Sequence, residues 1–463
     1  MAITRENIEK WSSSYAFLKY YVDFAFKFYF RTSVAGLENV PNKGTFIFTP
    51  NHQNALMDAL ALLSVKQWQP VFLARADIFE KPLFNKILTF LKILPVYRIR
   101  DGYQNLTKND AVFNKTMDVL RNENGLVILP EGNHGDKKRL RPLKKGVARI
   151  AFQAEDASNG ELDIKVIPVG IDYSHYVHVG SKLHIRFGIP INIKTLLGEY
   201  KENQARTYKT VIDLLEIGIK KEMIHIEDEK YYNAYMVMLN AFTKQYLLKQ
   251  KLHLTHENEI DAQKLIISKI DELKQSDFDS FLVLIANTLE LDMLLKKLNI
   301  NSLQFPSEKS DFIKTSKHIL ALLCTLPLFI YSFVNNILSL GVPFIISKKI
   351  KDEQFLSSFR FGLGLLLIPI FHLIQVLVFG LISGSLVLTL AYAVSLPLSV
   401  FLYFTWREYF FAVTSPLREF ILKLRNSDKL KRAKEVHANL SSKMWNLVQS
   451  KSEEEFLPNY LDE

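Results

Sequence analysis

With 463 residues, 48% of them hydrophobic and 23% charged, the chain is longer than one ordinary domain and holds enough apolar side chains for a large core. Together with a mean hydropathy of +0.04, this excludes a mostly disordered chain and a transporter built of spans throughout. The single cysteine, Cys324, excludes an internal disulfide framework or a thiolate metal cluster, and the net charge of +10 suits nucleic acid or the anionic face of a bilayer.

The opening MAITRENIEKWSSS lacks the basic stretch and apolar core of a secretory signal, so the mature protein is expected to begin on the cytosolic side. From Trp11 to Thr32 an aromatic-rich helical pattern follows, with Lys19, Asp23, Lys27 and Arg31 at four-residue spacing. That spacing predicts one charged stripe and a wide aromatic face, the profile of an interfacial amphipathic helix in residues 1–35.

Residues 36–200 alternate apolar runs with helical periodicity. Strands are expected at 44–50, 70–74, 94–98, 125–130, 163–173 and 182–188, and helices near 56–66, 80–93, 109–122 and 143–155. This is an α/β pattern, a sheet flanked by helices. Segment 78–95 places Phe79, Leu83, Phe84 and Ile87 beside Lys81, Lys86 and Lys92, which suits either buried core or a second membrane-docking surface.

Residues 201–313 are polar and helical, with no predicted strand, and read as an accessory domain. The membrane region is expected at 314–411. Neither His318–Ser347 nor Phe361–Trp406 contains Asp, Glu, Lys or Arg. The second window is long enough for two spans and breaks at GLISGS (380–385), so 361–406 is expected to be a transmembrane helical hairpin. The first window is interrupted by Pro327, Asn335, Asn336 and GVP (341–343), and basic residues flank both of its ends. An even number of crossings follows from those flanks, which predicts that 318–346 is re-entrant and that 412–463 is a basic cytoplasmic tail.

The chemistry-bearing residues gather after strands. GTFIFTP runs directly into Asn51-His52-Gln53-Asn54-Ala55-Leu56-Met57-Asp58. An imidazole that takes a proton, with a carboxylate fixing its tautomer, is what activation of a hydroxyl requires. Six residues of unbroken helix rotate by about 240°, so His52 and Asp58 meet only if a turn intervenes. His52 is therefore expected in the loop, with the helix starting between Asn54 and Asp58 and running through Ala61. Arg98 and Glu131 stand at the ends of two further strands, where ligands collect in α/β sheets. Lys144 and Lys145 offer added positive charge for an anion. His175 and His178 have no third metal ligand nearby in sequence, and Asp172 and Tyr173 are expected to close their strand.

Over residues 36–195 the sequence resembles the glycerolipid acyltransferases of the lysophosphatidic-acid acyltransferase (PlsC) type. His52…Asp58, LPVYR (94–98), LPEG (129–132) and VIPVGIDY (166–173) match its four blocks in order, and RPLKKGVARIA (141–151) and FGIPI (187–191) also fit. The resemblance implies transfer of a fatty acyl group from a coenzyme A or acyl-carrier-protein thioester to a hydroxyl of a glycerol phosphate, on the cytoplasmic face of a membrane. His52 would be the general base, Asp58 its orienting partner and Arg98 a phosphate ligand. Glu131 and Gly132 would shape the acceptor pocket, lined further by Asn54, Pro130, Asn133 and His134, with Pro168 as its wall. A thioester is already activated, so no metal or cofactor is implied beyond this co-substrate. The expected partners are the bilayer, the acyl donor and the acceptor, with no nucleic acid.

Two features depart from the family pattern. Five residues separate His52 from Asp58 where four are usual, and Asn133-His134-Gly135 replaces Thr-Arg-Ser after the third block. The expected acceptor is 1-acylglycerol-3-phosphate, with glycerol 3-phosphate the rival that the longer gap favours. A non-catalytic lipid-binding scaffold is the alternative of another class, and the retention of His52, Asp58 and Glu131 together argues against it.

Overall fold

The computed structural model describes residues 3–41, 43–97, 108–123, 125–306 and 309–449. The chain divides into two units, one of residues 1–225 with 343–365 and one of 226–342 with 366–463.

The first unit is α/β. Helix α1 (Ser13–Tyr29) leads into β1 (Phe30–Ala35), followed by β2 (Phe46–Pro50), α2 (Leu56–Leu63), β3 (Val71–Arg75), α3 (Pro82–Phe90), β4 (Ile93–Val96), α4 (Lys108–Arg121) and β5 (Leu126–Ile128). Then come α5 (Gly146–Ala157), β6 (Lys165–Tyr173), β7 (Ser181–Phe187), β8 (Ile191–Asn192), α6 (Leu197–Glu202) and α7 (Gln204–Glu222). The mixed sheet has the order β1-β7-β6-β2-β5-β3-β4, with β8 pairing to β6. Strands β2 to β6 run parallel, whereas β7 opposes β6, and β1 lies parallel to β7. The ends of β2, β4, β5 and β6 therefore share one edge, which brings the loops after them together.

The sheet buries both faces. Val166 and Ile164 pack with α5 and α7 through Phe152, Val211 and Leu215, while Ile167, Val169, Ile171 and Tyr173 pack with α1 and α2 through Phe26, Met57 and Ala61. Residues 201–225, expected among the accessory helices, belong to this unit because α7 lies directly on β6. A Cβ on Gly170 would fall 2.2 Å from the Glu222 carbonyl oxygen, so the glycine is what permits that approach.

The aromatic segment 11–32 is not one helix. It ends at Tyr29, and β1 follows as an edge strand with Phe30 in register with Ser181. Its charged stripe is divided as well. Lys19 and Asp23 are buried and paired with each other, Lys27 is exposed, and the outward residues include Phe17 (82% exposed), Tyr20 and Phe24 (60%). Periodicity identifies two faces of a helix without saying which one meets the protein. Helix α3 exposes Leu83, Phe84 and Ile87 in the same way.

In the second unit, α8 (Tyr232–Lys249), α9 (His256–Ser276) and α10 (Phe278–Leu298) pack with α15 (Asp428–Gln449). Within the segment expected as a basic cytoplasmic tail, α15 packs on these helices, with Arg432 paired to Glu290 and Lys434 to Glu419. Between these in sequence come α11 (Lys309–Cys324), α12 (Leu326–Ser347), α13 (Leu356–Ser383) and α14 (Leu386–Leu424), the end of α12 and the start of α13 belonging to the first unit. Among the described residues, three helical segments, Leu326–Ser347, Glu353–Ser383 and Leu386–Leu424, are long and apolar enough to cross a membrane by length and composition.

The chain breaks at Gly384 (φ +60°), within GLISGS. The expected reversal inside 318–346 does not occur, since α12 is one continuous helix. Asn335 and Asn336 do not interrupt it because their amides donate to the Tyr331 and Ser332 carbonyls four residues back, each at 2.8 Å. Pro327 falls at the second residue of α12, in a first turn where proline is tolerated.

Candidate active site

The site begins where β2 ends. Asn51 extends the strand with its side chain, donating to the Ile171 carbonyl (3.0 Å) and accepting the Ile171 N–H (2.6 Å). The chain then turns, and α2 starts at Leu56, inside the expected window. Asp58, its third residue, reaches back as a first-turn carboxylate favoured by the helix dipole. Its Oδ2 accepts the N–H of Gln53 (2.8 Å), the N–H of Asn54 (2.7 Å) and His52 Nδ1 (2.8 Å), while Oδ1 accepts the Tyr173 hydroxyl (2.9 Å).

Asp58 is 0% exposed, and four donors surround its charge. Burial holds the Tyr173 phenol well above its usual range, so it remains a donor. With Nδ1 committed to Asp58, the proton-accepting atom of His52 is Nε2, which has no hydrogen bond among the described residues on a side chain 19% exposed.

Glu131, past the end of β5, braces the same loop. Its Oε1 accepts the His52 N–H (2.6 Å), and Oε2 accepts the Arg141 N–H (3.0 Å). Burial pushes its carboxyl up to about 8, opposed by those two backbone donors.

A family model described as Acyltransferase matches residues 31–172. Residues 31–172 thus match an acyltransferase domain. The chain is 27% identical over 150 residues to glycerol-3-phosphate O-acyltransferase 1 of Saccharomyces cerevisiae, covering 32% of this chain and 20% of that protein. It is 28% identical over 124 residues to 1-acyl-sn-glycerol-3-phosphate acyltransferase BAT2, chloroplastic, of Brassica napus, covering 27% of this chain and 34% of that protein. The matches thus span about a third or less of those relatives' own length. Among solved structures, the 1-acyl-sn-glycerophosphate acyltransferase PlsC of Thermotoga maritima matches with a TM-score of 0.31 and 20% identity, covering 44% of this chain and 78% of that one.

Between His52 and Asp58 the chain makes a tight turn. The Met57 N–H donates to the Asn54 carbonyl (2.9 Å), and Ala55 sits between them at φ 43°, ψ −123°. Glycine ordinarily occupies that corner of a turn. Ala55→Gly is expected to stabilise the protein by about 0.5–1 kcal/mol, checked by thermal unfolding in detergent.

The third block is positioned by its backbone. Gly132 has φ +67° and donates to the Leu129 carbonyl, and the carbonyl of buried Pro130 accepts the Lys144 N–H (2.8 Å). Asn133, Lys144 and Lys145 are exposed. The His134 ring lies 5.5 Å from that of His52, between it and Phe355 (4.6 Å), with Nε2 3.6 Å from the Asp352 carboxylate. Burial, reinforced by the neighbouring His52 ring, holds His134 below its usual range.

Pro168 does not wall this pocket. It faces the opposite side of the sheet from Tyr173, where its ring packs against Gly188 and Gly218. Arg98 lies outside the described residues. The strand preceding it, β4, is three positions from β2, about 14 Å across the sheet. His175 and His178 stack on each other with centroids 3.6 Å apart, and His175 Nδ1 accepts the Val177 N–H.

Sequence reasoning did not assign Asn51, Gln53 or Tyr173 to this constellation. The β2–β6 pairing that joins Tyr173 to Asp58, 115 residues apart, leaves no local signal.

Proposed function

We propose that the chain is a membrane-bound glycerolipid O-acyltransferase. It moves a fatty acyl group from a coenzyme A or acyl-carrier-protein thioester to the free hydroxyl of 1-acylglycerol-3-phosphate. The observation that carries this proposal is the imidazole with an accessible Nε2, held by a buried carboxylate at a strand end in an acyltransferase-family domain.

Nε2 takes the hydroxyl proton as the oxygen attacks the thioester carbonyl. The tetrahedral intermediate then expels the thiolate, which receives that proton from the imidazolium, and Asp58 stabilises the imidazolium throughout. Arg98, Lys144 and Lys145 supply candidate cations for the phosphate. The exposed aromatic face of α1 and the three apolar helical segments suit an enzyme whose acceptor and product reside in lipid. Glycerol 3-phosphate is the second reading, favoured by the five-residue gap and by the name of the yeast relative.

The test offers a labelled acyl thioester and each acceptor separately to the protein in liposomes, beside His52→Ala. Transfer to 1-acylglycerol-3-phosphate that His52→Ala abolishes is expected. Transfer to neither acceptor overturns the proposal, and transfer to glycerol 3-phosphate alone replaces it by the second reading.

Because Asp352 and Phe355 lie against His134, the 348–355 loop and the active site are on one side of any membrane. Single cysteines at 348–351, in a Cys324→Ser background, are expected to react with an impermeant thiol reagent from the face that supplies the thioester, the cytoplasmic one in this proposal.

A further inference from the structure

Helix α2 starts without a cap of its own. Its N-cap position is Ala55, whose side chain accepts nothing, so the Leu56 N–H is one of the orphan donors of the first turn. That donor reaches Ser358 Oγ at 3.1 Å, 302 residues further along the chain. The neighbouring Ser357 donates to Asn54 Oδ1 at 2.5 Å, with both side chains fully buried. The Asn54 N–H is in turn one of the donors that hold Asp58. Just beyond, Phe361 packs edge-on against Phe26 and Tyr29. All of these residues belong to the first unit, yet the two serines lie far outside the matched residues 31–172.

We propose that Ser357 and Ser358, in the first turn of α13, are positioning residues that hold the start of α2 and with it the His52–Asp58 pair. The proposal rests on the acyl-transfer function put forward above. The hydrogen bonds of these serines go to Asn54 and Leu56, so each acts on the pair through those residues. Since α13 lies within one of the three segments apolar enough to cross a bilayer, this arrangement ties the geometry of the general base to a candidate membrane helix. Without the Ser357 hydroxyl, the buried Asn54 Oδ1 loses a donor, and the side chain shifts to find another. That displaces the adjacent N–H from Asp58 and tilts the imidazole.

The experiment uses the full chain in liposomes. It compares wild type, Ser357→Ala, Ser358→Ala, the double alanine variant, a double threonine variant and His52→Ala. Two quantities are measured, the kinetic constants and the pH dependence of diethylpyrocarbonate modification at His52, the latter read by peptide mass spectrometry. The double alanine variant is expected to lose kcat by about 10–100-fold, as a displacement of about 1 Å does. Its KM for the thioester should stay within about twofold, and the modification profile of His52 should move. Threonine, which keeps the hydroxyl, should restore most of kcat.

Wild-type kcat in the double alanine variant would overturn the proposal. So would threonine performing no better than alanine with an unmoved modification profile, the signature of lost packing alone. If the double variant fails to fold, Ser358→Ala, which removes only a helix cap, decides by the same measurements. If wild type acylates neither acceptor, the proposed function fails, and the modification profile still tests the positioning.

Discussion

Asp58→Asn is expected to lower kcat about a thousandfold while leaving the fold in place. Asparagine can keep three of the four hydrogen bonds, because its single carbonyl oxygen accepts from His52 Nδ1 and from the Gln53 and Asn54 N–H groups as Oδ2 does now. Its amide can then donate to the Tyr173 oxygen, which reverses its own role. What disappears is the negative charge that stabilises the imidazolium as the proton moves to Nε2. Losing that charge with geometry intact costs on the order of 10³–10⁴ in kcat in catalytic dyads of this kind. Asp58→Ala serves as the contrast. It strands four buried donors at about 1–3 kcal/mol each and should unfold the loop. Kinetics beside melting temperatures separate the two, and an Asp58→Asn protein with near-normal kcat would remove Asp58 from catalysis.

The same residues show what a linear sequence can disclose. The start of α2 was legible, because only a turn between His52 and Asp58 lets their side chains meet. Glu131 was legible as a strand-end carboxylate, but not as the acceptor of the His52 N–H, since nothing local says which way it faces. Tyr173 and Ser358 were hidden because their bonds cross 115 and 302 residues. Pro168 was misplaced for a related reason. Strand alternation puts it opposite Tyr173, but only the packing of α7 shows which face of β6 carries the site. In α1 the spacing of the charged stripe was legible, but not that Lys19 and Asp23 would be buried as a pair while Phe17, Tyr20 and Phe24 stay exposed, because periodicity names the faces of a helix and not their neighbours.

Glu131→Ala is expected to lower kcat about a hundredfold and to reduce stability, for one reason. The two N–H groups of His52 and Arg141 would lose their shared acceptor in a buried place, at about 1–3 kcal/mol each. The loop would move to find water, carrying Nε2 out of line with the hydroxyl, and a shift of about 1 Å is worth roughly a hundredfold in rate.

The pH dependence of stability distinguishes this bracing role from a direct chemical one. Burial raises the Glu131 carboxyl from 4.5 to about 8, so between those values the folded protein binds a proton that the unfolded chain has released. The contribution of Glu131 to stability therefore falls as pH climbs through that window, and it is largest below the unfolded value. Glu131→Gln removes the titration. Its amide keeps one acceptor and opposes the other N–H, so it should be less stable than wild type at pH 5 yet show a flatter loss of stability between pH 5 and pH 8. Thermal unfolding of both proteins across that range measures the difference. Parallel curves would show that Glu131 keeps an ordinary carboxylate pKa in the fold, and retention of wild-type kcat by Glu131→Ala would show that the His52 backbone needs no brace.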